Sequence, residues 1–356
     1  MRLPLFLLFF TSFFLIAKES YETIHEKFSH PGCYEQNRDF CQKVHRIVLN
    51  EFPRAYNPSL IYTEHGYTLF FRFDEFSPHQ QKNSRFSCMT YVGCVELNRS
   101  FMPISNIKVL DLKSSYAEDP RCILFENQLY LFYNDIDIKE PSIRKMKMAI
   151  LEPKTKRVLE IVDLPGGKKR VEKNWTPFVY QKEGEKGLYF VYDLSLFHVY
   201  KLEKHQEQWK IEPLSPPSIK STQKEFWEKE FGSLRGGAPL IQVDGELFCF
   251  YHSSFYEKKP FWQKISKTCF YHMGLITFCE KTLEPKGMLP FPIFYSDAFA
   301  TPRGERFNKW VIYPSGAVYN KEEGKVLVSL GENDRGMLIL EFDKEIFSKK
   351  LVPIEK

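Results

Sequence analysis

The chain has 356 residues, enough for two domains or for one large all-β unit. Its 50 basic and 45 acidic residues leave a net charge of +5 with no dense basic block, which argues against a nucleic-acid partner. At 43% hydrophobic and 27% charged the composition is that of a folded chain, and 33 Phe with 19 Tyr favour strands. The first seventeen residues, Met1–Ala17, place one basic residue before about fifteen mostly apolar ones, and polarity returns at Lys18. The run is short for a membrane span and reads as a signal peptide, so export is expected. Leu15 is large for the −3 position of a cleavage site, and an uncleaved anchor is the rival; only then would a membrane be a partner. Export permits disulfides, and Cys33/Cys41 and Cys88/Cys94 are the closest pairs. Cys122, Cys249, Cys269 and Cys279 lie in apolar runs and read as buried thiols. Without CxxC or HExxH motifs, no metal site is expected.

From residue 54 onward one plan recurs: a proline or small residue, an apolar strand, a turn, an aromatic strand, then a polar residue. The copies begin at Asn57, Asp119, Thr176, Ala238 and Pro314, spaced by 62, 57, 62 and 76 residues. Their centres carry turn chemistry at His65-Gly66, Glu126-Asn127, Glu183-Gly184, Asp244-Gly245 and Glu323-Gly324. Further strand-like runs lie between the hairpins, at 88–97, 147–151, 197–202 and 269–278. A hairpin plus two strands per repeat makes a four-stranded blade. The spacing predicts an all-β, five-bladed β-propeller over 54–356, with a short N-terminal extension over 18–53 that packs outside the ring and helps close it. Two packed β-sandwiches would explain the strand count but not the recurrence.

Hairpins bring their first and last residues to one end. Equivalent strand ends therefore place Asn57, Arg72, Asp119, Asn174, Arg235, His252 and Asp334 around one mouth of a channel. Such a ring of carboxylates, amides and cations can grip a polyhydroxylated ligand through many oriented hydrogen bonds. Singly, each is as easily a solvated turn residue; the recurrence at equivalent positions raises the functional reading.

Several short motifs follow one another in order. They are Asn57-Pro-Ser with Arg72, Glu118-Asp-Pro-Arg121, Glu172-Lys-Asn-Trp-Thr-Pro177, Arg235-Gly-Gly-Ala-Pro239, Tyr251-His252, Tyr271-His-Met-Gly274, and Tyr313-Pro-Ser-Gly-Ala317 with Gly331-Glu-Asn-Asp334. Over roughly 54–345 this pattern resembles glycoside hydrolase family 130, the β-mannoside phosphorylases and β-mannosidases, and related β-1,2-mannosyltransferases. The resemblance implies an inverting enzyme with Asp119 as general acid, acting through a hydroxyl of the bound sugar. It implies sugar binding by Asn57, Arg72 and Asp334, with Asn174 and His252 alongside. It implies phosphate binding by Lys173, with Arg121, Arg235 and His198 as further candidates. No cofactor is implied beyond inorganic phosphate as a co-substrate, and the partner is an oligosaccharide or glycan. Leu330-Gly-Glu-Asn-Asp334 departs from the family's Tyr-Gly-Ala-Ala-Asp, and Tyr251-His-Ser from its Tyr-His-Gly; both departures bear on substrate and acceptor.

Three reactions fit this set. Phosphorolysis needs cations opposite the acid. Hydrolysis needs a second carboxylate, for which Glu332 or Asp193 are the candidates. Transfer needs a cationic pocket for a phosphorylated donor. A non-catalytic glycan-binding propeller is the alternative of a different class.

Overall fold

The computed structural model describes residues 40–354 apart from 42, 64–65, 77–87, 137–139, 141, 168, 183, 215–220, 259–266 and 294–307. Met1–Ala17, Cys33, His65 and Glu183 lie outside the described residues. The fold is all-β and propeller-like, with two helices among the described residues. After β1 (Lys43–Ile47) come three four-stranded antiparallel meanders. The first is β2 (Tyr56–Thr63), β3 (Gly66–Phe76), β4 (Cys88–Leu97) and β5 (Lys108–Val109). The second is β6 (Glu118–Phe125), β7 (Gln128–Ile136), β8 (Arg144–Leu151) and β9 (Val158–Asp163). The third is β10 (Thr176–Lys182), β11 (Glu185–Asp193), β12 (His198–His205) and β13 (Gln208–Leu214).

Helix α1 (Thr222–Phe231) follows, capped by the Ser221 hydroxyl on the Lys224 amide. Next come β14 (Ser233–Arg235), β15 (Ile241–Val243), β16 (Glu246–Lys258), β17 (Lys267–Cys279) and β18 (Pro285–Met288). The chain ends with β19 (Asn308–Asn320), β20 (Lys325–Glu332), β21 (Gly336–Asp343), α2 (Lys344–Lys350) and β22 (Val352–Pro353). These later strands form one larger sheet, because β17 and β19 pair in parallel from Thr268↔Asn308 to Tyr271↔Val311. The cause is length: β16, β17 and β19 each run 13 residues and overshoot their neighbours. At the far edge of that sheet β1 pairs antiparallel with β21.

The five hairpins read from the sequence are all antiparallel pairs. Glu126 and Asn127 both have positive φ, 47° and 56°, between the paired Phe125 and Gln128. Asp244 and Gly245 repeat this at 47° and 84°. Such two-residue turns match the twist of the flanking strands. The second strands do not alternate in hydropathy: Phe70-Phe71, Leu131-Phe132-Tyr133, Phe190 and Cys249-Phe250-Tyr251 are all fully buried. Sheets stacked face to face cover both sides of these strands, so neither face is free to be polar.

Cys94 and Cys122 are buried free thiols, and Cys41 is free as well. The expected Cys88–Cys94 bridge is therefore wrong, and for a geometric reason. Both residues lie on the extended β4, where six residues span about 20 Å, far beyond disulfide reach. No helix among the described residues is long and apolar enough to cross a membrane.

Candidate active site

The chain builds the centre of the site with a repeated local device. At Asn57-Pro58 and at Asp119-Pro120 the ladder breaks: pairing skips between Tyr56 and Ser59, and between Glu118 and Arg121. Proline has no N–H to give a ladder, and the resulting bulge turns the preceding residue out of the sheet. Asn57 and Asp119 take left-handed φ values of 49° and 56°. Such conformations cost on the order of 1–3 kcal/mol each and persist where the surroundings enforce them. The two side chains meet, and Asn57 Nδ2 donates to Asp119 Oδ1 at 2.8 Å.

Arginines surround this pair. Arg72 on β3 reaches Asp119 Oδ1 at 3.3 Å through Nη1, Glu118 Oε1 at 3.2 Å through Nη2 and Asp74 Oδ1 at 3.2 Å through Nε. Its guanidinium also lies over the Tyr56 ring, 4.8 Å from the centroid. Arg144 holds Glu118 with contacts of 2.7 and 3.0 Å. Burial pushes the Asp119 carboxyl up, but Arg72, Arg121, the Asn57 hydrogen bond and Lys173 together hold it down at about 2. Asp119 is therefore a carboxylate at neutral pH.

Arg121, a candidate for phosphate binding, is engaged by the protein itself. It is fully buried. Nε donates to Gly237 O at 2.6 Å, Nη1 to Asp119 O at 3.4 Å, and Nη2 to Tyr313 OH at 2.7 Å and Asn174 Oδ1 at 3.3 Å. With four contacts to protein acceptors it ties the sheets together. Tyr313 OH in turn lies 2.8 Å from Asn174 Oδ1 and 3.3 Å from Asp119 Oδ2. Gly236 lets this centre close up, since a Cβ there would stand 1.9 Å from Asn174 O. Asn174 and Thr176 are buried, so the sequon they form is closed to glycosylation in the folded protein.

Beside this saturated cluster stand cations without counter-ions. Arg235 on β14 is paired in register with His252 on β16. The Arg235 Nε and His252 Nδ1 atoms are buried and have no hydrogen-bond partner among the described residues. Lys173 is exposed, yet desolvation at its recess lowers its pKa, as do Arg235 and Arg144, against the pull of Asp119 and Glu118. Among the described residues neither Lys173 nor Arg235 forms an ion pair. Burial, then Arg121, Arg235 and Lys173, push the His252 pKa far below its ordinary value, so its ring is neutral.

Other candidates lie apart from this group. His198 on β12 faces Asp193 in register and makes no hydrogen bond or ion pair among the described residues. Asp334, with φ of 54°, is half-buried near Tyr56, on the Arg72 side. The two carboxylates considered for activating water are engaged: Glu332 accepts from Arg46 at 2.9 Å, and Asp193 binds Lys169 at 2.7 Å and Ser195 at 2.6 Å. The sequence reading named no role for Tyr313. A signal existed, since Tyr56-Asn-Pro-Ser and Tyr313-Pro-Ser open the first and fifth repeats alike.

Residues 139–274 match the family model of β-mannosyltransferases. No curated protein sequence matches the chain. Among solved structures, the β-1,2-mannobiose phosphorylase of Listeria innocua superposes with a TM-score of 0.57 at 10% identity, covering 89% of this chain and 98% of that one. A GDP-Man-dependent mannosyltransferase of Leishmania mexicana, MPT-1, gives 0.54 at 12% identity, covering 90% and 96%. A glycosyl hydrolase of Bacteroides ovatus gives 0.54 at 13%, covering 82% and 84%. The chain thus has a GH130-like fold, shared with mannoside phosphorylases, glycoside hydrolases and a mannosyltransferase, and its middle third is similar in sequence to β-mannosyltransferases.

Proposed function

We propose that this protein is a carbohydrate-active enzyme that exchanges β-mannosyl units between a phosphate and a sugar hydroxyl, with inversion, and that it works chiefly as a β-mannosyltransferase. One observation carries the reading: an ionised Asp119 stands beside the unpaired cations Lys173 and Arg235. A carboxylate ionised at rest is in the form that accepts a proton and has none to give. In transfer, the acceptor hydroxyl passes its proton, through a hydroxyl of the mannosyl ring, to Asp119. The acceptor oxygen attacks C1 and the C1–O bond to phosphate breaks. Lys173, Arg235 and the neutral His252 receive the leaving phosphate with its electron pair. An α-linked mannosyl phosphate thereby yields a β-mannoside. The reverse reaction is phosphorolysis, with protonated Asp119 as the acid. The engagement of Glu332 and Asp193 by other residues weighs against hydrolysis.

The ring geometry is part of this proposal. The inner strands lace together: Ser59 Oγ accepts from Cys122 N, Ser329 Oγ from Leu60 N, and Ser315 Oγ donates to Pro58 O. Opposite the site a cavity of about 580 Å³ is lined by Ile61, Ile123, Val179, Ile241 and Val318, one from each hairpin. Five blades, the last completed by β1, account for both features. Asn57, Arg72, Asn174 and Asp334 then hold the sugar at the other mouth.

The test is a product assay with α-mannose 1-phosphate or GDP-mannose plus a mannobiose acceptor, run beside manno-oligosaccharides with and without phosphate. The expected result is β-mannoside synthesis with release of phosphate or nucleotide. Hydrolysis that ignores phosphate, with no synthesis, overturns the reading.

A further inference from the structure

The two oxygens of Asp119 are not equivalent. Oδ1 receives Asn57 Nδ2 at 2.8 Å and Arg72 Nη1 at 3.3 Å. Oδ2 has one partner among the described residues, the Tyr313 hydroxyl at 3.3 Å. That hydroxyl has a single proton. Its oxygen is occupied by Arg121 Nη2 at 2.7 Å, and its proton has two acceptors in reach, Asn174 Oδ1 at 2.8 Å and Asp119 Oδ2. The shorter and better partner is Asn174.

We propose that Tyr313 is a positioning residue that keeps Oδ2 as the proton-exchanging oxygen of Asp119, its phenol sharing its proton between Oδ2 and the nearer Asn174 and leaving Oδ2 wholly to a sugar hydroxyl when one arrives. This rests on the reaction proposed above. With Oδ1 saturated, a sugar hydroxyl can approach only Oδ2. With Asn174 as the second acceptor, the phenol gives up Oδ2 without leaving its proton buried and unpaired, a loss that would otherwise oppose substrate binding. Burial raises the Tyr313 pKa, so the phenol remains a donor and does not act as a base. The groups facing Asp119 are Arg72 from β3, Arg121 from its own strand, Lys173 before β10, His252 from β16 and Tyr313 from β19.

The experiment compares Tyr313→Phe with Asn174→Gly; glycine suits the φ of 65° at that position. Tyr313→Phe removes a donor to the carboxylate, so the acidic limb of the pH–rate profile moves to higher pH. Asn174→Gly leaves the phenol only Oδ2, so the limb moves to lower pH. In both, kcat falls about 10–100-fold; KM for the mannosyl donor stays within about threefold in Tyr313→Phe. The carboxyl 13C resonance of Asp119, assigned by its loss in Asp119→Asn, should titrate with midpoints moved in the same opposite directions. That measurement needs no turnover, so it still reads the Tyr313 contact if mannosyl transfer is never observed. Limbs and midpoints that stay put, or that move the same way in both variants, overturn the proposal.

Discussion

On the Asp119 side of the site each arginine has its acceptors, whereas on the Lys173–Arg235 side buried nitrogens go without partners among the described residues. Arg72, Arg121 and Arg144 are held by carboxylates and carbonyls at 2.6 to 3.4 Å. Arg235 Nε and His252 Nδ1 have none among the described residues. The first side is finished as the chain folds and sets geometry and charge. The second carries unpaired positive charge, which an arriving anion would relieve.

The largest effect expected is on turnover. Asp119→Asn keeps the shape and removes the proton acceptor, and kcat should fall by about 10²–10⁴-fold. Sugar affinity measured by calorimetry should change little, since Asn57 and Arg72 remain. Near-normal turnover would remove Asp119 from the chemistry and dissolve the contrast between the two sides.

Next in size is stability. Arg121→Leu removes a buried cation that joins its own strand to Asn174, Gly237 and Tyr313, and leaves Gly237 O without its side-chain donor. Breaking a buried charged network of this kind costs on the order of 3–5 kcal/mol, read by urea unfolding. Lys173→Ala and Arg235→Ala should leave urea midpoints nearly unchanged. A large loss of stability in either would mean that the cationic side is structural as well.

A third effect concerns pH. Burial pushes His272, on β17 behind the cationic side, down to about 4. Between that value and the ordinary value of about 6.5 the folded protein binds fewer protons than the unfolded one. Stability therefore falls as pH drops through that window, by about 3 kcal/mol in all, and His272→Gln should flatten the slope. Asp119 acts lower. Its depressed pKa stabilises the fold above about 3.9, and that contribution is lost as pH falls through about 2.

The smallest expected effect is on phosphate itself. Lys173→Ala should weaken phosphate or donor binding about tenfold, as loss of one charge-assisted contact does, with kcat at saturation largely kept. An equal loss of kcat would move Lys173 from the binding of the anion to the chemistry.

The hairpins were legible because a two-residue turn with positive φ at both positions demands particular residues, and Glu126-Asn127 and Asp244-Gly245 supply them. Asn57 and Asp119 were legible through the proline that follows each at equivalent places in two repeats, and Arg72 through its place at the far end of the first hairpin. The protein contacts of Arg121 were not legible, because a sequence gives a side chain's type but not its direction. The bulge at Asp119-Pro120 and the ladder's return at Arg121 turn the carboxylate and the guanidinium to different neighbours. The parallel join of β17 to β19 gave no local signal, since its partners stand forty residues apart. Tyr313 was hidden for a similar reason: its hydroxyl meets Asn174 across 139 residues of sequence.

The edge strand β1 sets a timetable for synthesis. His45 and Glu341, which meet across the β1–β21 pair, are separated by 296 residues. At common rates of translation, β1 leaves the ribosome roughly 15–60 s before its partner exists. Throughout that interval it has unpaired backbone amides and carbonyls, and β21 emerges as an open edge until the earliest and latest parts of the chain find each other. A nascent chain halted before residue 336 would have three meanders in hand and an unclaimed strand at its start.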